Sequence, residues 1–119
     1  MRETYLITGG GGNLTCQLTF ELVKRGCGVV LFDVVEKPNY PTAGGCIYVR
    51  GDMRSREDLA GVLKNYRPQV ILHFASLLSG SSDQNRELAW EVNVDGAFKL
   101  FELALEYDVD QVFFPSSLA

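Results

Sequence analysis

The apolar positions of this chain switch repeatedly between short runs and stripes at helical spacing, and each switch marks an element. Tyr5-Leu6-Ile7 lies in a run that predicts a first strand over residues 3–8. Leu14, Leu18 and Leu22 recur every fourth residue and predict a helix over 13–25, with Gly26 as its stop. Gly28-Val29-Val30-Leu31-Phe32, closed by Asp33, predicts a second strand. A loop with Pro38, Pro41, Gly44 and Gly45 leads to a short third strand, Cys46-Ile47-Tyr48-Val49. Ser55 with Asp58 three residues on is a capping-box pattern, and Leu59, Val62, Leu63 and Tyr66 form the stripe of the helix it opens. After Pro68, residues 70–74 are nearly continuously apolar, as a strand covered on both faces should be. The polar stretch 76–85 predicts a loop. Trp90, Val94, Ala97, Phe98, Phe101 and Ala104 predict one core-facing side of a long helix over 86–107, and Gln111-Val112-Phe113-Phe114 a fifth strand.

Strands that alternate with helices imply right-handed crossovers and a parallel sheet with helices on both faces. The expected architecture is α/β, a Rossmann-type doubly wound sheet in the order 3-2-1-4-5, with a ligand crevice between strands one and four. At 119 residues the chain is read as one domain over 1–119.

The candidate chemistry sits at the first turn. Thr8-Gly9-Gly10-Gly11-Gly12 lies between strand one and helix one. Backbone without side chains can approach a pyrophosphate closely, and the free N–H groups of a helix start carry partial positive charge. Asp33 ends the next strand about twenty residues on, where a carboxylate can accept hydrogen bonds from the ribose of NAD. A plain glycine turn is the competing reading of the loop alone; strand, loop, helix, strand and terminal acid together disfavour it.

Composition narrows the partners. A formal charge of −4 argues against nucleic acid, which wants a basic footprint. No polybasic run suits a membrane surface, no apolar stretch is long enough to span one, and residues 1–8 enter a strand directly, with no signal peptide visible. Cys16, Cys27 and Cys46 are odd in number and lack metal-ligand spacing, which fits reduced thiols and a cytoplasmic setting. Asn13-Leu14-Thr15 matches a glycosylation sequon, read as chance inside a phosphate loop.

The glycine run, Asp33, Gly51-Asp52-Met53, His73-Phe74-Ala75-Ser76, Val92-Asn93-Val94-Asp95-Gly96 and Pro115-Ser116-Ser117-Leu118-Ala119 occur in the order seen in the extended short-chain dehydrogenase/reductases. The whole chain resembles that NAD-dependent epimerase/dehydratase family. Leu77-Leu78-Ser79, the stretch from Asn85 to Trp90 and Pro115-Ser116-Ser117 look most like the L-threonine 3-dehydrogenase branch, and sugar-nucleotide 4-epimerases are similar almost everywhere else.

The resemblance implies roles. Gly9 and Gly12 would form the phosphate turn, with the amides of Asn13 and Leu14 on the pyrophosphate. Asp33 would hold the adenosine ribose and repel a 2′-phosphate, favouring NAD over NADP, with Lys37 close by. Asp52 and Met53 would contact the adenine, Asp52 through the base's amino group. Phe74, Ala75 and Ser76 would lie along the middle of the cofactor. Asn93 would buttress the fourth strand, and Ser117 would be the catalytic-set partner of the substrate hydroxyl. Simpler readings stand beside these: Asp52 as a turn residue, Asn93 as a cap, Ser116 and Ser117 as turn serines. His73, the single histidine, lies inside an apolar strand and is read as structural.

Two departures from the family pattern bear on these expectations. Thr15 occupies the third glycine position, where bulk affects helix–strand packing. The family's Tyr-x-x-x-Lys pair follows the serine motif, beyond Ala119. In the family the tyrosine exchanges a proton with the substrate hydroxyl while hydride passes to or from nicotinamide, because oxidising a carbinol needs a base on its oxygen. The expectation is the N-terminal, NAD-binding portion of an enzyme acting on a small-molecule secondary alcohol, inert alone. The alternative is a non-catalytic dinucleotide-binding or sensor module. A homodimer or a C-terminal continuation is expected to cover the apolar edge at strand five.

Overall fold

The structure, a computed structural model, describes residues 3–9, 15–37, 44–74 and 94–114. Its elements are β1 (Thr4–Thr8), α1 (Cys16–Lys24), β2 (Gly28–Asp33), β3 (Cys46–Arg50), α2 (Arg56–Tyr66), β4 (Val70–His73), α3 (Gly96–Glu106) and β5 (Gln111–Phe113). All five strands run parallel in the order β3-β2-β1-β4-β5, the doubly wound arrangement that the alternation implies.

Side chains alternate across the pleat and build a core on each face of the sheet. Leu6 pairs in register with Val30 and with Ile71. These three, with Phe32, pack against Met53, against Leu59, Val62 and Leu63 of α2, and against Leu100, Leu103 and Ala104 of α3. On the other face Ile7, Val29 and Leu31 pack with Leu22 of α1, flanked by Leu18, Leu72 and Phe74. The central strands are therefore apolar on both sides, as parallel strands under helices must be.

Helix ends follow their local chemistry. α1 closes with Gly26 at φ +83°, its N–H donating to Val23 O at 3.0 Å, while Cys27 N donates to Leu22 O at 3.0 Å. This is a Schellman stop, and only glycine adopts that φ without strain. α2 opens on Ser55, whose Oγ accepts from Asp58 N at 3.2 Å. Asp58 does not return the bond to Ser55. Its Oδ2 instead accepts from Asp52 N at 2.9 Å, so the cap also fixes the incoming loop.

The apolar face of α3 is turned differently from the expectation. Leu100, Leu103, Ala104 and Gly96 meet the sheet, whereas Phe98 (65% exposed), Phe101 and Leu105 (82%) point outward. α3 carries two apolar stripes, and the sheet takes the one whose small residues allow close approach. The outward stripe continues to Phe114 at the tip of β5, exposed and packed at a tilt against Phe101 with ring centroids 4.7 Å apart, whereas the exposed Phe113, in register with Leu72, lies on the opposite face. Residues 86–93 of the expected long helix lie outside the described residues.

At the N-terminal rim of the sheet, Gln69 gathers three strands. Its Oε1 accepts from Thr4 N at 2.7 Å, its N–H donates to Thr4 O at 3.0 Å, and its carbonyl accepts from Asp110 N at 2.9 Å and Gln111 N at 3.2 Å. Beside it Arg67, left-handed at φ 47°, ends α2 and lies over the Tyr107 ring at 5.3 Å.

Candidate functional site

In a parallel sheet every strand delivers its C-terminal residue to the same rim. Here that rim collects Thr8-Gly9 from β1, Asp33 from β2, Arg50-Gly51-Asp52 from β3 and His73-Phe74 from β4. The crossovers leave in opposite directions from β1 and β4, so a crevice opens between those two strands, the usual ligand position of such sheets.

Gly9 marks the centre of this rim. It adopts φ +75°, and its N–H donates to Phe32 O at 2.7 Å, turning the backbone out of β1. Phe74 N donates to Thr8 O at 3.0 Å on the other side, and the Phe74 ring packs on the core beneath. Below them, Thr8 Oγ1 and His73 Nδ1 share a buried hydrogen bond of 2.6 Å. Burial lowers the His73 pKa from 6.5 to about 4, which keeps the ring neutral near pH 7. The structural reading of His73 fits this setting.

Asp33 is half-buried at the end of β2, its Oδ1 accepting from Val34 N at 2.7 Å. β3 holds the segment that follows: Tyr48 Oη donates to Val35 O at 2.7 Å and Arg50 Nε to Val34 O at 3.1 Å. Gly51 N donates to Asp33 O at 2.8 Å, which brings the Asp52 loop against Asp33. A Cβ on Gly51 would lie 2.4 Å from the Phe32 ring, so the loop comes this close only because the residue is glycine.

Asp52 is held by its near neighbour. Its Oδ1 accepts from Arg54 N at 2.8 Å, and the Arg54 guanidinium grips the carboxylate with Nη2 at 2.7 Å from Oδ2. The Arg54 bonds, with a smaller contribution from Lys99, hold its carboxyl below the usual carboxylate range. Met53 points the other way and is 5% exposed in the core, so its side chain has little surface for a base. The structure thus brings Gly9, Asp33, Asp52 and Phe74 to one rim. Gly12, Asn13, Leu14, Ala75, Ser76, Asn93 and Ser117 lie outside the described residues. Thr15, at the departing glycine position, is buried at the start of α1, its carbonyl accepting from Thr19 Oγ1 at 2.7 Å.

Three parts of the site were not singled out from sequence: the Thr8–His73 bond, the close approach at Gly51, and the grip of Arg54 on Asp52. The last had a local signal, since Asp-x-Arg before a Ser cap suits a side chain that turns back on its own backbone.

The profile of the NAD dependent epimerase/dehydratase family matches residues 5–119. The chain belongs to this family. It is 36% identical over 117 residues to the short-chain dehydrogenase/reductase family 42E member 1 of Danio rerio, a match that covers 97% of this chain and 29% of that protein. Among solved structures, it is similar to L-threonine dehydrogenase from Clostridium difficile (TM-score 0.87, 29% identity, 99% of this chain and 37% of that one). It is also similar to the UDP-glucose 4-epimerase of Thermus thermophilus in complex with NAD (TM-score 0.82, 27% identity, 92% and 36%). The family member described here spans about a third of the length of these proteins. Among its described residues no helix is long and apolar enough to cross a membrane.

Proposed function

We propose that this family member binds NAD along the rim formed by β1, β2 and β4. It would supply the cofactor-binding part of an oxidoreductase or epimerase that acts on a secondary alcohol, of the L-threonine 3-dehydrogenase or nucleotide-sugar 4-epimerase kind. The observation that carries this reading is the left-handed Gly9 at the fork of the sheet, with the Asp33 carboxylate one strand away. A side chain at Gly9 would occupy the space a diphosphate needs, and Asp33 offers the acceptor that ribose hydroxyls require. The similarity to an epimerase solved with NAD supports the same cofactor.

In this reading the Gly9 and Gly12 turn and the amides of Asn13 and Leu14 hold the pyrophosphate. Asp33 holds the ribose and, by charge, disfavours a 2′-phosphate, so NAD is preferred to NADP. Asp52 and the Met53 backbone meet the adenine. Phe74, Ala75 and Ser76 line the middle of the cofactor and exclude water there, Asn93 buttresses β4, and Ser117 orients the substrate hydroxyl. The nicotinamide, when bound, supplies the hydride chemistry. The three cysteines form no disulfide with one another, which fits a cytoplasmic protein. A second copy, or further chain, covers the outward stripe of α3.

Calorimetric titration with NAD tests the reading. Saturable heat is expected, and Gly9→Ala is expected to weaken it strongly, with circular dichroism checking that the chain stays folded. Absence of heat at millimolar NAD overturns the proposal.

A further inference from the structure

Most arginines among the described residues meet a carboxylate or a ring. Arg25 pairs with Glu21, Arg54 with Asp52 and Arg56 with Glu102, while Arg67 lies over the Tyr107 ring. Arg50 is placed differently. It ends β3 in register with Asp33 at the end of β2, so both side chains leave the same face of the sheet, on strands about 4.8 Å apart. No ion pair joins them. Each is tied instead to the main chain of Val34: Asp33 Oδ1 accepts from Val34 N at 2.7 Å, and Arg50 Nε donates to Val34 O at 3.1 Å.

That bond uses the Nε donor of the guanidinium and leaves both Nη groups. Among the described residues nothing takes them, and Arg50 is exposed at the rim. The peptide that Arg50 holds is itself pinned. Tyr48 Oη donates to Val35 O at 2.7 Å, and Gly51 N donates to Asp33 O at 2.8 Å. The rim therefore presents a carboxylate and a planar two-pronged cation side by side, both anchored on one residue. A carboxylate suits the hydroxyls of a ribose, and a guanidinium fork suits the oxygens of a phosphate. A ribose phosphorylated at its 2′-oxygen carries both groups on neighbouring carbons.

We infer that Arg50 forms a subsite for the 2′-phosphate of NADP beside Asp33, so that the protein takes NADP as a second cofactor. The inference rests on the proposal that a dinucleotide binds at this rim, and it limits the preference for NAD that Asp33 sets. At similar distances the repulsion of one carboxylate and the attraction of one guanidinium offset each other. The two Nη groups then add charge-assisted hydrogen bonds to the phosphate oxygens, which a distant point charge does not supply. Lys37 is exposed farther along the segment after β2, and among the described residues no bond fixes it near Asp33. It is the natural control for a general effect of positive charge.

The test titrates NAD and NADP by calorimetry into the full chain and into Arg50→Gln, Arg50→Lys and Lys37→Gln, with circular dichroism checking that each stays folded. Glutamine keeps an N–H for Val34 O and removes the charge; lysine keeps the charge and loses the fork. The unaltered protein is expected to bind NADP within about tenfold of NAD. Arg50→Gln is expected to weaken NADP by about tenfold or more, the worth of a charge-assisted hydrogen bond, and NAD by less than about twofold. Arg50→Lys is expected to keep part of the NADP affinity, and Lys37→Gln to leave the ratio unchanged. Raised salt is expected to weaken NADP more than NAD in the unaltered protein, and less so in Arg50→Gln. A merely structural role for Arg50 would weaken both dinucleotides equally, which overturns the inference, as does a change of ratio in Lys37→Gln but not in Arg50→Gln. Binding of NAD without NADP overturns it too and leaves the reading of the rim standing. If the unaltered protein binds neither, that reading fails and the inference falls with it.

Discussion

Thr8 Oγ1 and His73 Nδ1 meet at 2.6 Å across the seam between β1 and β4, at the fork of the sheet and buried from solvent. A neutral imidazole can share this bond in either tautomer, whereas a protonated ring has to place a second charged N–H in the interior. The His73 pKa falls from 6.5 to about 4 through burial. The unfolded chain therefore binds the proton first. The contribution of the neutral ring is complete above pH 6.5 and is lost as pH falls toward about 4. Urea unfolding across this range is expected to show a loss of roughly 3 kcal/mol from this residue. His73→Gln is expected to flatten that part of the pH dependence, and an unchanged slope in the variant would place the acid sensitivity elsewhere.

Gly51→Ala tests the close approach of the β3–α2 loop. The added Cβ would lie 2.4 and 2.6 Å from two atoms of the Phe32 ring, and Phe32 is fully buried. Neither side has room to yield, so the expected cost is about 1–3 kcal/mol in thermal or urea unfolding. Phe32→Leu in the same chain is expected to recover part of it. Equal and additive losses would mean that the ring is not the obstacle.

Asp33→Asn separates charge from shape at the end of β2. An amide can still accept a hydrogen bond from a ribose hydroxyl, but it no longer repels a phosphate. NAD affinity is expected to fall about tenfold, the loss of charge assistance in that bond, while NADP affinity holds or rises. Calorimetry with both dinucleotides checks this, and a parallel loss for both would remove Asp33 from the choice between them.

The outward stripe of α3 predicts self-association. Phe98, Phe101 and Leu105 are exposed along α3, and the exposed Phe114 packs against Phe101 beside them. Apolar surface of this kind marks an interface. Sedimentation velocity is expected to show concentration-dependent association of the chain, and the pair Phe98→Glu and Leu105→Lys is expected to abolish it without changing the unfolding midpoint. A monomer at high concentration would refute the prediction.

Elements that depend on near neighbours were readable from sequence. The five-residue apolar run of β2 declares a strand covered twice, Gly26 ends α1 as expected, and Ser55 opens α2. The order of strands followed from the crossover rule, and with it the meeting of Gly9 and Asp33. What stayed hidden depends on distant partners. His73 finds Thr8 65 positions away, and nothing near either residue announces the bond. Which apolar stripe of α3 meets the sheet was decided by packing, since Phe98 and Phe101 look as suited to a core as Leu100 and Leu103. Asp58 reads as half of a capping box, yet its carboxylate goes to Asp52, a choice that only the path of the loop determines. Arg67 takes a backbone shape normally left to glycine, held there between the end of α2 and the Tyr107 ring.

The knot around Gln69 and Arg67 lies at the end of the sheet farthest from Gly9 and Asp33. Durability and selectivity are thus written into opposite poles of the same five strands. Alterations at one pole can harden or soften the scaffold with little effect on what the other pole grasps, so a family built on this plan is free to change its ligands without renegotiating its foundations.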